Sequence, residues 1–391
     1  MAYRAGVAVL DRMIQNDQDV ERSKRDQDTL ERRARSADLA LLATGELDIV
    51  LAQPADELPG LLYTRCAEFA KQRKLDEASQ AADHLRDLKP ATGTQKFLAA
   101  SGYGLCAVHL AADDEPLSDE DAARRQAFLD QSLACLQEAV DAGYDDLDEL
   151  REDDDLVLTR QLAGYPEIEV RLLTAQRSRL DKQLADQPDD LAVRRRAAYA
   201  AEQLGLIRQT QQDWPAARTL FQQAVEHATR VVTANQAAGE EPGWNLGTTH
   251  SYLARVALAQ QNLTQAVADY EAGLKAEPDS LSCIGRLAWL LATCPDESVR
   301  DGERAVELAT RACELTDWKD ANHIDTLAAA LAEAGQFDEA VKRQQQALEI
   351  PDAFDEEERK RVEARLRLYE SGKPYHVPTP LPNNATPVEA I

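Results

Sequence analysis

The chain has 391 residues, 44% of them hydrophobic and 29% charged, with a formal net charge of −26. That length and apolar content can bury a substantial core, and aromatics at only 5% favour helices packed through small residues over a β-rich fold. The acidic excess has the wrong sign for neutralising phosphates, so neither nucleic acid nor an anionic membrane surface is an expected partner.

Residues 1–56 read as charged N-terminal helices without a clean repeat. The apolar run in MAYRAGVAVLDRMI is broken by Asp11 and is too short for a signal-peptide core. No stretch nears the roughly 20 apolar residues that cross a bilayer. The abrupt start on a helical pattern is what the tail of a longer protein, or a piece cut from one, would show. Residues 57–144 form a degenerate block of paired helices. Leu61–Pro90 makes one pair with Ala78 at a small position. Residues 94–144 make another, with Ser132, Leu136 and Ala139 on its second helix and the acidic loop DDEPLSDED between the two. Cys106 and His109 share a helix face in LCAVH, but two ligands without a second pair read as core, so no metal site is expected.

Residues 145–166 break the helical rhythm with the acidic run DDLDELREDDD. A calcium-binding loop of the EF-hand kind needs alternating ligands and a glycine at its sixth position, and this run has neither. A solvated connector of short helical turns, joining two repeat blocks, is the expectation. Residues 167–353 carry the clearest periodicity. Four second helices place small or mid-sized residues at fixed spacing: Ala217, Phe221, Ala224; Ala266, Tyr270, Gly273; Ala305, Ala309, Ala312; Ala340, Gln344, Ala347. The preceding helices carry Leu204-Gly205, Leu253-Ala254, Leu287-Ala288 and Leu327-Ala328. Antiparallel helices approach closely only where facing side chains are small, and a leucine beside the crossing fills the remaining space.

One stretch in this block, CPDESVRDG, invites a catalytic reading through Cys294, Asp296, Arg300 and Asp301. Pro295 cannot continue the helix before it, Asp301-Gly302 opens the next, and no base near in sequence partners the thiol. It is expected to be a long turn. The remaining cysteines are equally scattered: positions 66, 106, 135, 283, 294 and 313 include no CxxC pair, which fits unpaired thiols in a reducing cytoplasm. Residues 354–375 read as a capping helix over the exposed face of the last repeat, and residues 376–391 as a disordered proline-rich tail.

The small, leucine and large-apolar positions, with Pro278 after a second helix, resemble the tetratricopeptide repeat, a helix-turn-helix of about 34 residues. The intervals between equivalent alanines are 49, 39 and 35 residues, so two of the three carry insertions. The resemblance implies an all-α, TPR-like α-solenoid, a right-handed superhelix of antiparallel helix pairs. The phrases LAWLLATCPDESVRDGERAVELATRACELT, DTLAAALAEAGQFDEAVKRQQQALE and RLYESGKPY, together with the acidic connector, are similar to bacterial repeat segments that often end large proteins carrying a serine/threonine kinase domain. The kinase motifs themselves, and those of zinc hydrolases and serine esterases, do not occur, so neither enzymatic activity nor a cofactor is expected.

What the resemblance implies is a non-catalytic scaffold binding a peptide or helix of a partner protein in its concave groove. Alternatively, it is a regulatory module acting on a kinase in cis or in trans. Placing the repeat phase on each first helix nominates Tyr199, Glu202, Ser251, Arg255, Gly285, Arg286, Trp289, Asn322 and Asp325 as groove-facing. Of these, Arg255 and Arg286 would hold a carboxylate, and Trp289 would be an apolar anchor.

Overall fold

A computed structural model describes residues 38–110 and 117–378. The helices expected over 1–37 and the tail from 379 onward lie outside the described residues. Every regular element among the described residues is helical, and they fall into two compact units, Met1–Gln176 and Arg177–Ile391.

The first unit contains α1 (Leu47–Leu51), α2 (Leu58–Lys71), α3 (Leu75–Asp87), α4 (Gly93–Leu110), α5 (Asp119–Asp141), α6 (Leu147–Glu152) and the start of α7 (Tyr165–Asp186). Helix α2 packs against α3, and α4 against α5. Ala78, Ala81 and Ala82 are 0% exposed on α3. The Ser132 hydroxyl donates to the Ala100 carbonyl at 2.8 Å, which ties the small position of α5 to α4.

The acidic run forms the short helical turns expected of it, with most of its carboxylates exposed, but it is not a free linker. It folds as α6 and two short 3-10 turns that pack back onto this unit. Leu150 and Leu156 are fully buried, and the Asp153 carboxylate accepts from Ser101 Oγ at 2.6 Å. Tyr63 donates to Asp155. The alternation that reads as a charge run hides two leucines pointing inward, and their burial offsets the desolvation of the neighbouring carboxylates. The unit boundary falls inside α7, not within the acidic run.

The second unit is a row of helix pairs: α8 (Leu191–Thr210) with α9 (Trp214–Ala238), α10 (Leu246–Ala259) with α11 (Leu263–Ala276), α12 (Leu281–Thr293) with α13 (Gly302–Leu315), and α14 (Ala321–Glu333) with α15 (Phe337–Glu349). A last helix, α16 (Glu356–Glu370), packs on α15. Each pair forms at the small positions. Ala217, Ala224, Ala266, Ala305, Ala309, Ala312, Ala340 and Ala347 are 0% exposed. At Gly205 an added Cβ would lie 2.6 Å from the Phe221 ring, so that crossing requires glycine.

The turns inside the pairs are also repeated. Arg73, Gln212, Gln261 and Gly335 occupy the same place and share φ values of 58°, 59°, 57° and 75°. In each, the next residue's N–H reaches back to a carbonyl five residues earlier: Lys74 to Phe69, Asp213 to Arg208, Asn262 to Ala257 and Gln336 to Leu331, at 2.8–2.9 Å. This left-handed closure satisfies the last carbonyls of the first helix and hands the chain to the next N-cap. Asp213 and Asn262 then cap α9 and α11 through side-chain oxygens.

The α12–α13 turn alone among the four pairs of this unit lacks that closure, because CPDESVRDG replaces it. Arg300 organises the replacement. Its Nη1 donates to the Cys294 carbonyl at 2.9 Å and the Pro295 carbonyl at 3.3 Å, and its Nε donates to Glu333 at 2.8 Å. Asp301 caps α13 by accepting from Arg304 N–H at 2.9 Å. Cys294 is fully buried, and burial raises its thiol pKa. Arginine and aspartate here do the work of a turn.

Candidate functional site

The nominated residues sit on the first helices α8, α10, α12 and α14, and the structure sorts them by their partners. Tyr199 and Glu202 are half-buried on α8. The Glu202 carboxylate accepts from Thr249 Oγ1 at 2.7 Å, and that hydroxyl accepts in turn from Trp244 Nε1 at 3.0 Å. Burial raises the Glu202 pKa, and the Thr249 hydrogen bond partly opposes it. Ser251 is buried, at 3% exposure. Gly285 marks a close approach and not an opening, since a Cβ there would lie 2.9 Å from His323 Cε1. Asn322 is exposed in the first turn of α14, where Asp320 accepts from its N–H at 2.9 Å.

Two nominated residues are occupied by the chain itself. Asp325 is 6% exposed and holds Arg365 of α16 by a two-pronged pair, at 2.7 and 3.1 Å. Gln344 also donates to it, and to the Val362 carbonyl at 3.3 Å. Those bonds explain why a glutamine stands where the other pairs carry Phe221, Tyr270 or Ala309. Trp289 lies beneath the segment that follows α16. Its ring centroid is 6.1 Å from that of Tyr375, and the Arg365 guanidinium stands 5.2 Å and 5.6 Å from the two centroids.

That C-terminal segment was not foreseen as part of the groove. Gly372, at φ 68°, lets the chain turn back after α16, and Lys373 N–H closes onto the Leu368 carbonyl at 3.0 Å. The returning residues cross the C-terminal ends of α14 and α12. His376 Nε2 meets Glu333 Oε2 at 2.7 Å, and Val377 N–H donates to the Thr293 carbonyl at 2.8 Å. Val377 is 2% exposed. His376 and Val377, assigned by sequence to the disordered tail, are therefore held. Tyr375 and Val377 alternating after a glycine were the available signal, and the prolines beyond obscured it.

Among the described residues, Arg255 and Arg286 have no carboxylate partner. Both are half-buried, on successive first helices α10 and α12. The charges bearing on Arg255 are the Arg286 guanidinium and the phenols of Tyr270 and Tyr252.

All six cysteines are buried and unpaired. Among the described residues, no group of three or more histidine, cysteine or acidic side chains could hold a metal ion, and no helix is long and apolar enough to cross a membrane.

These helix pairs define an all-α, tetratricopeptide-like solenoid fold. No family model matches the sequence, and no curated protein matches it. Solved structures similar to it include yeast Tom70, at 14% identity and a TM-score of 0.26 over 84% of this chain and 75% of that one. The Cut9–Hcn1 hetero-tetramer of the APC/C follows at 12% and 0.28, over 95% and 87%. The TPR domain of P58(IPK) stands at 13% and 0.25, over 95% and 94%. Likeness at these TM-scores carries no argument of its own, so the fold assignment rests on the recurring crossings and turns.

Proposed function

We propose that this chain is a non-catalytic protein-interaction scaffold, holding an extended segment of a partner protein along the first helices α8, α10 and α12. The observation that carries this reading is the chain's own C-terminal segment. It lies across α14 and α12 as a bound peptide would, with a backbone hydrogen bond at Val377, an aromatic contact at Tyr375 and a hydrogen bond between His376 and Glu333. The first helices α10 and α12 are largely buried, and the partly exposed side chains they keep include Tyr252, Arg255, Arg286 and Trp289, the surface a partner segment would meet.

The test is site-specific photocrosslinking in the cells that make the protein. A crosslinker at Tyr252, half-buried on α10, should capture a defined partner. The same group at Glu303 or Lys342, on second helices, should not. Equal capture from both faces would refute the groove reading. A kinase among the captured chains would carry the regulatory alternative.

A further inference from the structure

The place where the C-terminal segment docks is not a feature of the repeat. In three pairs of the second unit the residue that opens the second helix closes onto a carbonyl five positions earlier, as Asp213, Asn262 and Gln336 do. In the α12–α13 pair the equivalent bond spans ten positions, from Asp301 N–H to the Leu291 carbonyl at 3.0 Å. The five extra residues form a loop whose carbonyls need other partners. Arg300 takes those of Cys294 and Pro295. The Thr293 carbonyl stays at the edge, and Val377 N–H takes it at 2.8 Å. Arg300 also fixes Glu333 by one carboxylate oxygen, which presents the other to His376. Tyr375 lies against Trp289, one helical turn before Thr293. A carbonyl, a carboxylate and an indole line one edge at the ends of α12 and α14, and the inserted turn places the first two.

What fills this edge is held more lightly than what precedes it. Helix α16 has anchors of its own: Val362 and Tyr369 are 1% exposed, and Arg365 is paired with Asp325. Beyond Gly372, residues 373–378 form no helix. Past the turn closure at Lys373 they are held by one main-chain bond, the His376 contact, the ring contact of Tyr375 and the buried Val377 side chain. A segment with so few contacts opens at small cost, without unfolding of the body it lies on. Gly372, at φ 68°, supplies a pivot between the anchored helix and the lightly held segment.

We infer that residues 373–378 are a releasable strap, an internal ligand on an edge that the inserted turn builds. A partner segment of the same pattern, an aromatic residue two positions before an aliphatic one with a free N–H, takes that edge by displacing it. This rests on the scaffold reading and names how access to the α12 end of the face is regulated. The arithmetic favours closure at rest. A short tether gives an effective concentration of about 1 mM. Against an intrinsic dissociation constant of about 100 µM, that seats the strap in roughly nine molecules of ten and weakens a competing segment about tenfold.

The probe is the strap itself, GKPYHVP (residues 372–378), as an end-blocked fluorescent peptide titrated against the full chain by anisotropy. It should bind the double variant Tyr375→Ser, Val377→Asp, whose own strap cannot seat, at least about tenfold more tightly than it binds the wild type. The same peptide with N-methylvaline in place of valine lacks the donor for the Thr293 carbonyl and should lose at least about fivefold. Equal binding to the two proteins, no binding to the variant, or indifference to the N-methyl group overturns the strap. Hydrogen exchange on the wild type needs no variant. The Val377 amide should be protected, yet exchange at least about a hundredfold faster than the amides of α12. An unprotected Val377 refutes the seating, and protection equal to that of α12 refutes the release. None of these readouts involves Tyr252. Failure of the strap with crosslinking at Tyr252 intact removes only the strap; loss of that crosslinking removes the groove partner.

Discussion

Gly205→Ala tests why these helices pair as they do. In an unobstructed helix this exchange stabilises, by up to about 1 kcal/mol, because alanine loses less backbone entropy on folding. At position 205 the added Cβ would stand 2.6, 2.8 and 3.0 Å from three carbons of the Phe221 ring. That ring is 0% exposed, so it has no space to swing into. Overpacking of this kind costs about 1–3 kcal/mol, and a rigid buried ring belongs in the upper half of that range. The two effects leave a net loss of about 1–2 kcal/mol, or roughly 2–8 °C of melting temperature for a unit of this size.

The control is the same substitution where nothing obstructs it. Gly60 lies in α2 with no atom within 4 Å of its would-be Cβ, and Gly60→Ala should stabilise. Urea unfolding and thermal melts followed by far-UV circular dichroism measure both. A third variant closes the argument: with Phe221→Leu already in place, adding Gly205→Ala should cost little or nothing, since the two positions share the crossing. If Gly205→Ala stabilises as Gly60→Ala does, the close approach of α8 and α9 is wrong, and the account of the repeat with it.

Two further outcomes follow from the turns and the cap. Gln261→Gly should stabilise by about 0.5–1 kcal/mol, because φ of 57° suits glycine and strains glutamine, whereas Gln260→Gly, one residue earlier at φ −85°, should not stabilise; chemical denaturation distinguishes them. Asp325→Ala should cost about 3 kcal/mol, since it leaves Arg365, at 12% side-chain exposure, buried without its carboxylate. Trp289 fluorescence should shift to the red in the same variant as Arg365 and Tyr375 leave its ring; an unchanged spectrum would deny that Asp325 anchors the segment.

The repeat was legible because its cause is local and periodic. A small residue at a crossing is visible in one sequence, and so are Asp213, Asn262 and Asp301 at the starts of second helices. The acidic run misled for the opposite reason. Its eight carboxylates outweigh Leu150 and Leu156 in any composition count, though the leucines decide where the segment goes. The candidate site was legible only in part. Repeat phase puts Asp325 and Trp289 on a first helix, which is correct, but phase cannot say what covers that helix. The covering residues, Arg365 and Tyr375, come from beyond the periodic pattern. Tyr270 reads as a large residue filling a crossing, and nothing in the sequence says that its hydroxyl is left without a partner.

The cap and the open surface belong to one arrangement. A row of helix pairs must end somewhere, and its last pair would present an apolar face to water. Here α16 closes that face with Val362 and Tyr369, which are 1% exposed. Among the described residues no second helix completes a pair with it, and the chain leaves it at Gly372 with nothing yet covering the ends of α14 and α12. The segment that follows supplies that cover, and its bonds are the kind a separate peptide would make: a main-chain donor to the Thr293 carbonyl and an aromatic contact of Tyr375 on Trp289. The chain's own residues cover this part of the face, over Trp289 and Asp325, and that segment does not extend over the first helices from Tyr199 to Arg286. The charge pattern along the face follows that cover. Asp325 and Glu333, under the segment, are answered by Arg365, Arg300 and His376. Arg255 and Arg286, beyond it, are answered by nothing within the described chain. Charge along the covered part of the face is paired within the chain, and the two guanidiniums mark where that pairing stops among the described residues.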